Sequence, residues 1–105
     1  MYPIRVEWLP TVEGGRKTVL GRGSYYPIAR FPEDDDWPDN AWSVALELND
    51  PFQCDERTVS IGMVKFLMKN APEEKLQINK RFEIYEGPQK VADVFLLPLS
   101  SPTSL

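Results

Sequence analysis

Apolar and polar residues alternate over Tyr2 to Leu9, with Ile4, Val6 and Trp8 on one side and Arg5 and Glu7 on the other. That is the period of a half-buried strand. Pro3 and Pro10 bracket the run and predict an edge or end position, because proline cannot donate to a ladder. A second strand is expected over Tyr25 to Phe31, with Pro27 placing it at an edge or breaking it. Ala41 to Leu48 repeats the alternation, with Trp42, Val44, Leu46 and Leu48 inward against Ser43, Ala45 and Glu47. Thr58 to Met68, the longest apolar-rich run, alternates first on Val59, Ile61 and Met63 and then on Val64, Phe66 and Met68. The inward phase therefore slips by one between Met63 and Val64, and a β-bulge is the expected cause. Its β-branched residues and Gly62 speak against a helix. Arg81 to Glu86 and Lys90 to Leu97 read as a hairpin about Gly87 and Pro88, with Phe82 and Ile84 facing Val91, Val94 and Leu96. Asn49 to Glu56 reads as a loop, and Asn70 to Asn79, broken by Pro72, has room for no more than a turn of helix. Short strands with frequent turn signals and almost no helical period describe a small all-β barrel or sandwich of about six strands.

Composition narrows the class. With 105 residues, 42% apolar and 11% aromatic, the chain can build one core. The expected organisation is a single domain over 1–97 and a disordered polar tail over 98–105. No apolar run approaches the roughly 18 residues of a membrane span, and MYPIRVEW lacks the basic and apolar regions of a secretory signal. A soluble, cytoplasmic protein is the expectation. Cys54 is the single cysteine and histidine is absent, which removes the internal disulfide, the cysteine zinc cluster and the commonest general base and metal ligand. A lone thiol without an activating base makes a poor nucleophile.

The net charge of −4 is unevenly spread: +3 over residues 1–31, −9 over 32–56 and +2 over 57–105. The run PEDDDWPDN, with its prolines and consecutive acids, belongs in a solvated loop. Glu33, Asp34, Asp35, Asp36 and Asp39 offer oxygen ligands for a hard cation, but they lack the alternate spacing and central glycine of a calcium loop. A plain exposed turn is the favoured reading, and an acidic patch for a basic protein partner is the functional alternative. A carboxylate pair such as Glu73 with Glu74, or Asp34 with Asp36, is a candidate for catalysis in principle, but adjacent acids in a proline-rich loop are normally just solvated.

The arm from Leu9 to Phe31 concentrates the remaining chemistry. Gly14 and Gly15 permit a tight reversal after the first strand. Arg16, Lys17, Arg22 and Arg30 accompany Tyr25, Tyr26 and Phe31, a mixture of cations and rings suited to phosphate and stacked bases. The order Glu13, Gly14, Gly15, Arg16, Lys17, Thr18, then Gly23, Ser24, Tyr25, Tyr26, Pro27, resembles the opening of the third domain of bacterial elongation factor Tu. The later residues Val64, Phe66, Leu67, Ala71, Pro72, Phe82, Ile84, Glu86, Gly87, Val91 and Ala92 extend that resemblance, which covers roughly residues 4–97. The acidic loop and the segment 49–57 depart from the family pattern, as do Asn79, Lys80 and Asp93, which stand where the family has glycines.

The resemblance implies a closed antiparallel β-barrel of Greek-key type. In the family this domain helps grip the acceptor and T arms of aminoacyl-tRNA and packs against the GTPase domain and the exchange factor. Its RNA-contacting turn matches Gly14 to Thr18, with Lys17 in place of the usual histidine. The chain holds no GxxxxGK[ST] loop, so GTP binding is not expected. The implied function is that of a stand-alone, non-catalytic module without metal or cofactor. Its expected partner is a specific protein, with an immunity or antidote protein included in that reading and a tRNA-binding module as the alternative. The residues expected to bind are Gly14, Gly15, Arg16, Lys17, Thr18, Arg22, Tyr25, Tyr26 and Arg30, with the acidic patch as a second surface. Self-association through exposed strand edges is a further possibility.

Overall fold

Alternation becomes burial in β1 (Tyr2–Trp8), whose Ile4, Val6 and Trp8 are buried while Arg5 and Glu7 stay partly open. The computed structural model describes residues 1–10, 21–35 and 41–98. It continues with β2 (Gly23–Tyr25), β3 (Ile28–Arg30), β4 (Trp42–Leu48), β5 (Phe52–Cys54), β6 (Arg57–Phe66), a short helix α1 (Glu74–Ile78), β7 (Arg81–Glu86) and β8 (Gln89–Leu96). Strands β4, β3, β7, β8, β1 and β6 follow one another round a ring that the β4–β6 pairing closes, and all pairs are antiparallel. The expected all-β, closed antiparallel barrel of six strands is thus present, with β2 and β5 added to it.

The additions follow from strand length. β6, ten residues long, holds β4 and β5 in succession along one edge, at Gly62–Phe66 and at Arg57–Val59. β4 likewise takes β3 at Trp42 and Ser43 and β2 at Leu46–Leu48. The break between β2 and β3 falls at Tyr26 and Pro27, as the proline requires, and the Val44 N–H donates to the Pro27 carbonyl across it at 3.0 Å.

Three local expectations are corrected. β6 runs without a register shift against both β1 and β4, so its slip of apolar phase is not a bulge. The even positions Ser60, Gly62, Val64 and Phe66 all face inward, and Ile61 and Met63 face out. The irregularity lies instead between Ile84 and Tyr85 in the last hairpin. β1 is no edge strand; it lies between β6 and β8, and Pro3 keeps its carbonyl in use by accepting from the Leu97 N–H at 3.0 Å. Part of the expected loop over 49–56 is strand β5, joined to β6 by a turn in which Asp55 takes φ 58°, a conformation aspartate tolerates.

Phe31 centres the core, its ring 4.9 Å from that of Phe82 and 5.9 Å from that of Phe66. Trp8 donates from Nε1 to Ser60 Oγ at 2.9 Å, which satisfies both buried polar groups. Gly62 is fixed by close approach: a Cβ there would lie 2.0 Å from the Glu47 carbonyl oxygen, where β4 crosses β6. α1 buries Leu76 and is tied to β1 through the Tyr2 hydroxyl, which donates to Glu73 at 2.7 Å and accepts from Gln77 at 3.2 Å.

Candidate functional site

The inward side chains of the described strands are almost all apolar and form the core, so the charged and polar side chains lie on the outside of the barrel. Register places the outward side chains in rows across strands. One row runs Ile61, Arg5, Phe95, Arg81 over β6, β1, β8 and β7. The next runs Phe52, Val59, Glu7, Asp93, Glu83, Arg30 from β5 to β3. On the other side of the first row, Met63 stands opposite Pro3 and Glu47.

This face has two halves. Around β6 it is apolar: Phe52 is 49% and Met63 36% exposed, with Ile61 between them and Val59 buried beside Phe52. Single exposed apolar residues are ordinary, but a continuous apolar run on the outer face of an antiparallel sheet departs from the usual polar alternation. Around β8 the face is cationic and aromatic. The guanidinium carbons of Arg5 and Arg81 lie 5.5 Å and 5.7 Å from the Phe95 ring centroid, within cation–π range. Arg81 bonds Asp93 at 3.0 Å; Lys90 bonds Asp93 at 2.9 Å and Glu83 at 3.2 Å; Glu7 lies between Arg5 and Arg57. Burial pulls the Lys90 ammonium down, but its bonds to Asp93 and Glu83 outweigh that and hold it above its ordinary value. The hydrogen bond to Tyr85, aided by Glu83 and Asp34, likewise raises Arg30 despite desolvation.

The residues singled out in the sequence are dispersed. Arg30 joins the second row of this face. Arg22 sits at the other end of the arm, where its guanidinium is 3.7 Å from Asp50 and its N–H donates to the same carboxylate at 3.3 Å. Tyr25 turns toward the core, its ring 5.9 Å from Trp8 and its hydroxyl bonded to Glu86, while Tyr26 is exposed. Gly14, Gly15, Arg16, Lys17 and Thr18 lie outside the described residues, as do Asp36, Asp39 and the segment 99–105 of the expected tail.

The described part of the acidic run is a structural latch. Lys75 of α1 donates to Asp34 at 2.8 Å and to Glu33 at 2.9 Å, over the Phe31 ring at 5.3 Å. Asp34 also accepts from the Phe31 N–H at 2.9 Å, and Asn79 donates to Glu33 at 3.1 Å. Burial pushes the Glu33 carboxyl up, but Lys75 and Asn79 outweigh it and leave it below its usual value. Asp35 points to solvent. Cys54 is exposed and unpaired on β5. Among the described residues no group of three or more His, Cys, Asp or Glu side chains is placed to hold a metal ion, and no helix is long and apolar enough to cross a membrane.

The rows on the outer face went unread because they join residues up to 90 positions apart in sequence, Arg5 to Phe95. One signal was present: in the run of β6 both phases are apolar, which leaves apolar side chains on the outward side of the strand as well as the inward one. Comparison of the chain with family models, with curated proteins and with solved structures finds no match.

Proposed function

We propose that the chain is a non-catalytic binding module of the cytoplasm, which holds a protein partner against the outer face of β5, β6 and β1. The observation that carries this reading is the apolar run Phe52, Val59, Ile61, Met63 on the outer face, open to solvent at both its ends, Phe52 and Met63, while the inward side chains form the core. Burying such side chains is the main source of association free energy, and the flanking charges supply orientation and on-rate. The reading agrees with the resemblance to the third domain of elongation factor Tu, a barrel that works by holding other molecules, and it includes an antidote protein that blocks a toxin.

The test uses the immobilised full chain and its Phe52→Asp/Met63→Asp variant, with folding checked by thermal unfolding. A partner retained from source-cell lysate in near-stoichiometric amount by the wild type, and lost from the folded variant, is the expected result. Equal retention by both proteins, or retention by neither, would remove the reading.

A further inference from the structure

We propose that the row Arg5, Phe95, Arg81 receives an extended acidic segment of the protein partner, with one carboxylate on each guanidinium and the intervening chain over the Phe95 ring. The inference rests on the binding-face reading above and names the chemistry of what is bound.

Three observations support it. First, the two guanidiniums are direct cross-strand neighbours of one aromatic ring, on the same row and on the same side of the sheet. Second, both are open, with side chains 42% and 52% exposed, and neither has its donors filled. Arg5 bonds Glu7 through one Nη, and Arg81 bonds Asp93 through one Nη. A guanidinium carries five N–H donors, so each retains capacity for a carboxylate. The ring fixes both planes and lowers the entropy lost when an anion docks. Third, the row itself, Ile61, Arg5, Phe95 and Arg81, carries two cations and no acid, on a protein of net charge −4.

Geometry selects the kind of anion. Two strand spacings separate β1 from β7, so the guanidiniums are about 10 Å apart, beyond the span of a single carboxylate or phosphate. Side chains three positions apart on a polyproline-like segment point the same way at roughly 9 Å, which matches. A nucleic acid strand fits less well, because its unbroken phosphates would also cross the neighbouring row of Glu7, Asp93 and Glu83, whereas two isolated carboxylates stay on the cationic row. The same segment reaches the apolar half of the face at Ile61, so an apolar residue beside the acids completes the match.

The experiment is fluorescence anisotropy of labelled synthetic peptides against the full chain. One peptide carries glutamates at positions i and i+3 flanked by leucine, a second has glutamine in their place, and a single-stranded RNA dodecamer serves as the other polyanion. The glutamate peptide is expected to bind at least about tenfold more tightly than the glutamine peptide, and Arg5→Gln/Arg81→Gln to weaken it by roughly tenfold per guanidinium removed. Should the double variant fail to fold, Arg81→Gln alone carries the same expectation of about tenfold. No anisotropy change at millimolar protein, equal binding of the two peptides, or tighter binding of the RNA at physiological salt each overturns the proposal. Loss of partner capture in the Phe52→Asp/Met63→Asp variant alongside any of those results would leave the binding-face reading standing and sink only the acidic segment.

Discussion

The acidic corner and the outer face of β6 exchange the roles that their composition suggests. Residues 33–36 look like a charged surface waiting for a partner, yet Glu33 and Asp34 are closed onto Lys75 and Asn79 and hold the loop against α1. Val59, Ile61 and Met63 look like core, yet Ile61 and Met63 face outward and Met63 is open to solvent. At the acidic corner charge is met by complementary charge nearby, while apolar surface in excess of what the core encloses stays on the outside of the barrel. The contrast is open to test by substitutions that treat the two regions alike.

The largest effect is expected inside the barrel. Phe82 is buried against Phe31, and Phe82→Ala should cost about 3–5 kcal/mol in equilibrium denaturation, the range for a core aromatic. Gly62→Ala comes next: the new methyl would press on the Glu47 carbonyl oxygen, a backbone atom that cannot swing aside, so about 2 kcal/mol or more should be lost. A tolerated alanine at position 62 would show that β4 and β6 do not cross as closely as described.

Neighbours in sequence then separate the two faces of β6. Val64 is fully buried, so Val64→Ala should destabilise by about 2 kcal/mol, whereas Met63→Ala should stay within about 0.5 kcal/mol. Equal losses at the two positions would mean that Met63 is core, and the distinction between the regions would collapse.

That pair also shows why the fold was legible and the face was not. Period-two alternation locates β1 and β4 because the large apolar side chains of each lie mainly on one side, and the inward sets Ile4, Val6, Trp8 and Val44, Leu46, Leu48 follow at once. β6 defeats the same rule: with both sides apolar, the pattern has no phase to read, and a bulge is inferred where none exists. β5 is three exposed residues long, too short for any period, and is a strand only because β6 extends past β4. Proline's edge preference also misleads at Pro3, because the second residue of a barrel strand can spare its N–H while its carbonyl stays in the ladder. The row Arg5, Phe95, Arg81 required the register of three strands, which no local pattern specifies. Lys75 was equally hidden, since nothing in Asn70 to Asn79 announces that its ammonium reaches back some 41 residues to Asp34.

The smallest effect, and the one that probes the acidic corner itself, is the pH dependence of the latch. The Glu33 carboxyl lies below its ordinary value of 4.5, because bonds from Lys75 and Asn79 outweigh its burial. A depressed carboxyl contributes stability that is present above the unfolded value and is lost as the pH falls through the folded one. Burial lowers the Lys75 ammonium, but Asp34 and Glu33 outweigh that and raise it above 10.5. That contribution is present below the unfolded value and is lost as the pH rises past the folded one. The latch therefore works between about pH 5 and pH 10 and weakens on both flanks. Replacing Lys75 by Met removes the ammonium's own contribution and its share of the Glu33 shift, leaving that of Asn79, so midpoints measured across pH should flatten on the alkaline limb and in part on the acid limb. At neutral pH the loss should be no more than about 1 kcal/mol, since Glu33 is part-exposed and screened. If Lys75→Met left both limbs unchanged, the acids would be an ordinary solvated turn, available after all to a partner, and the two regions would no longer differ in kind.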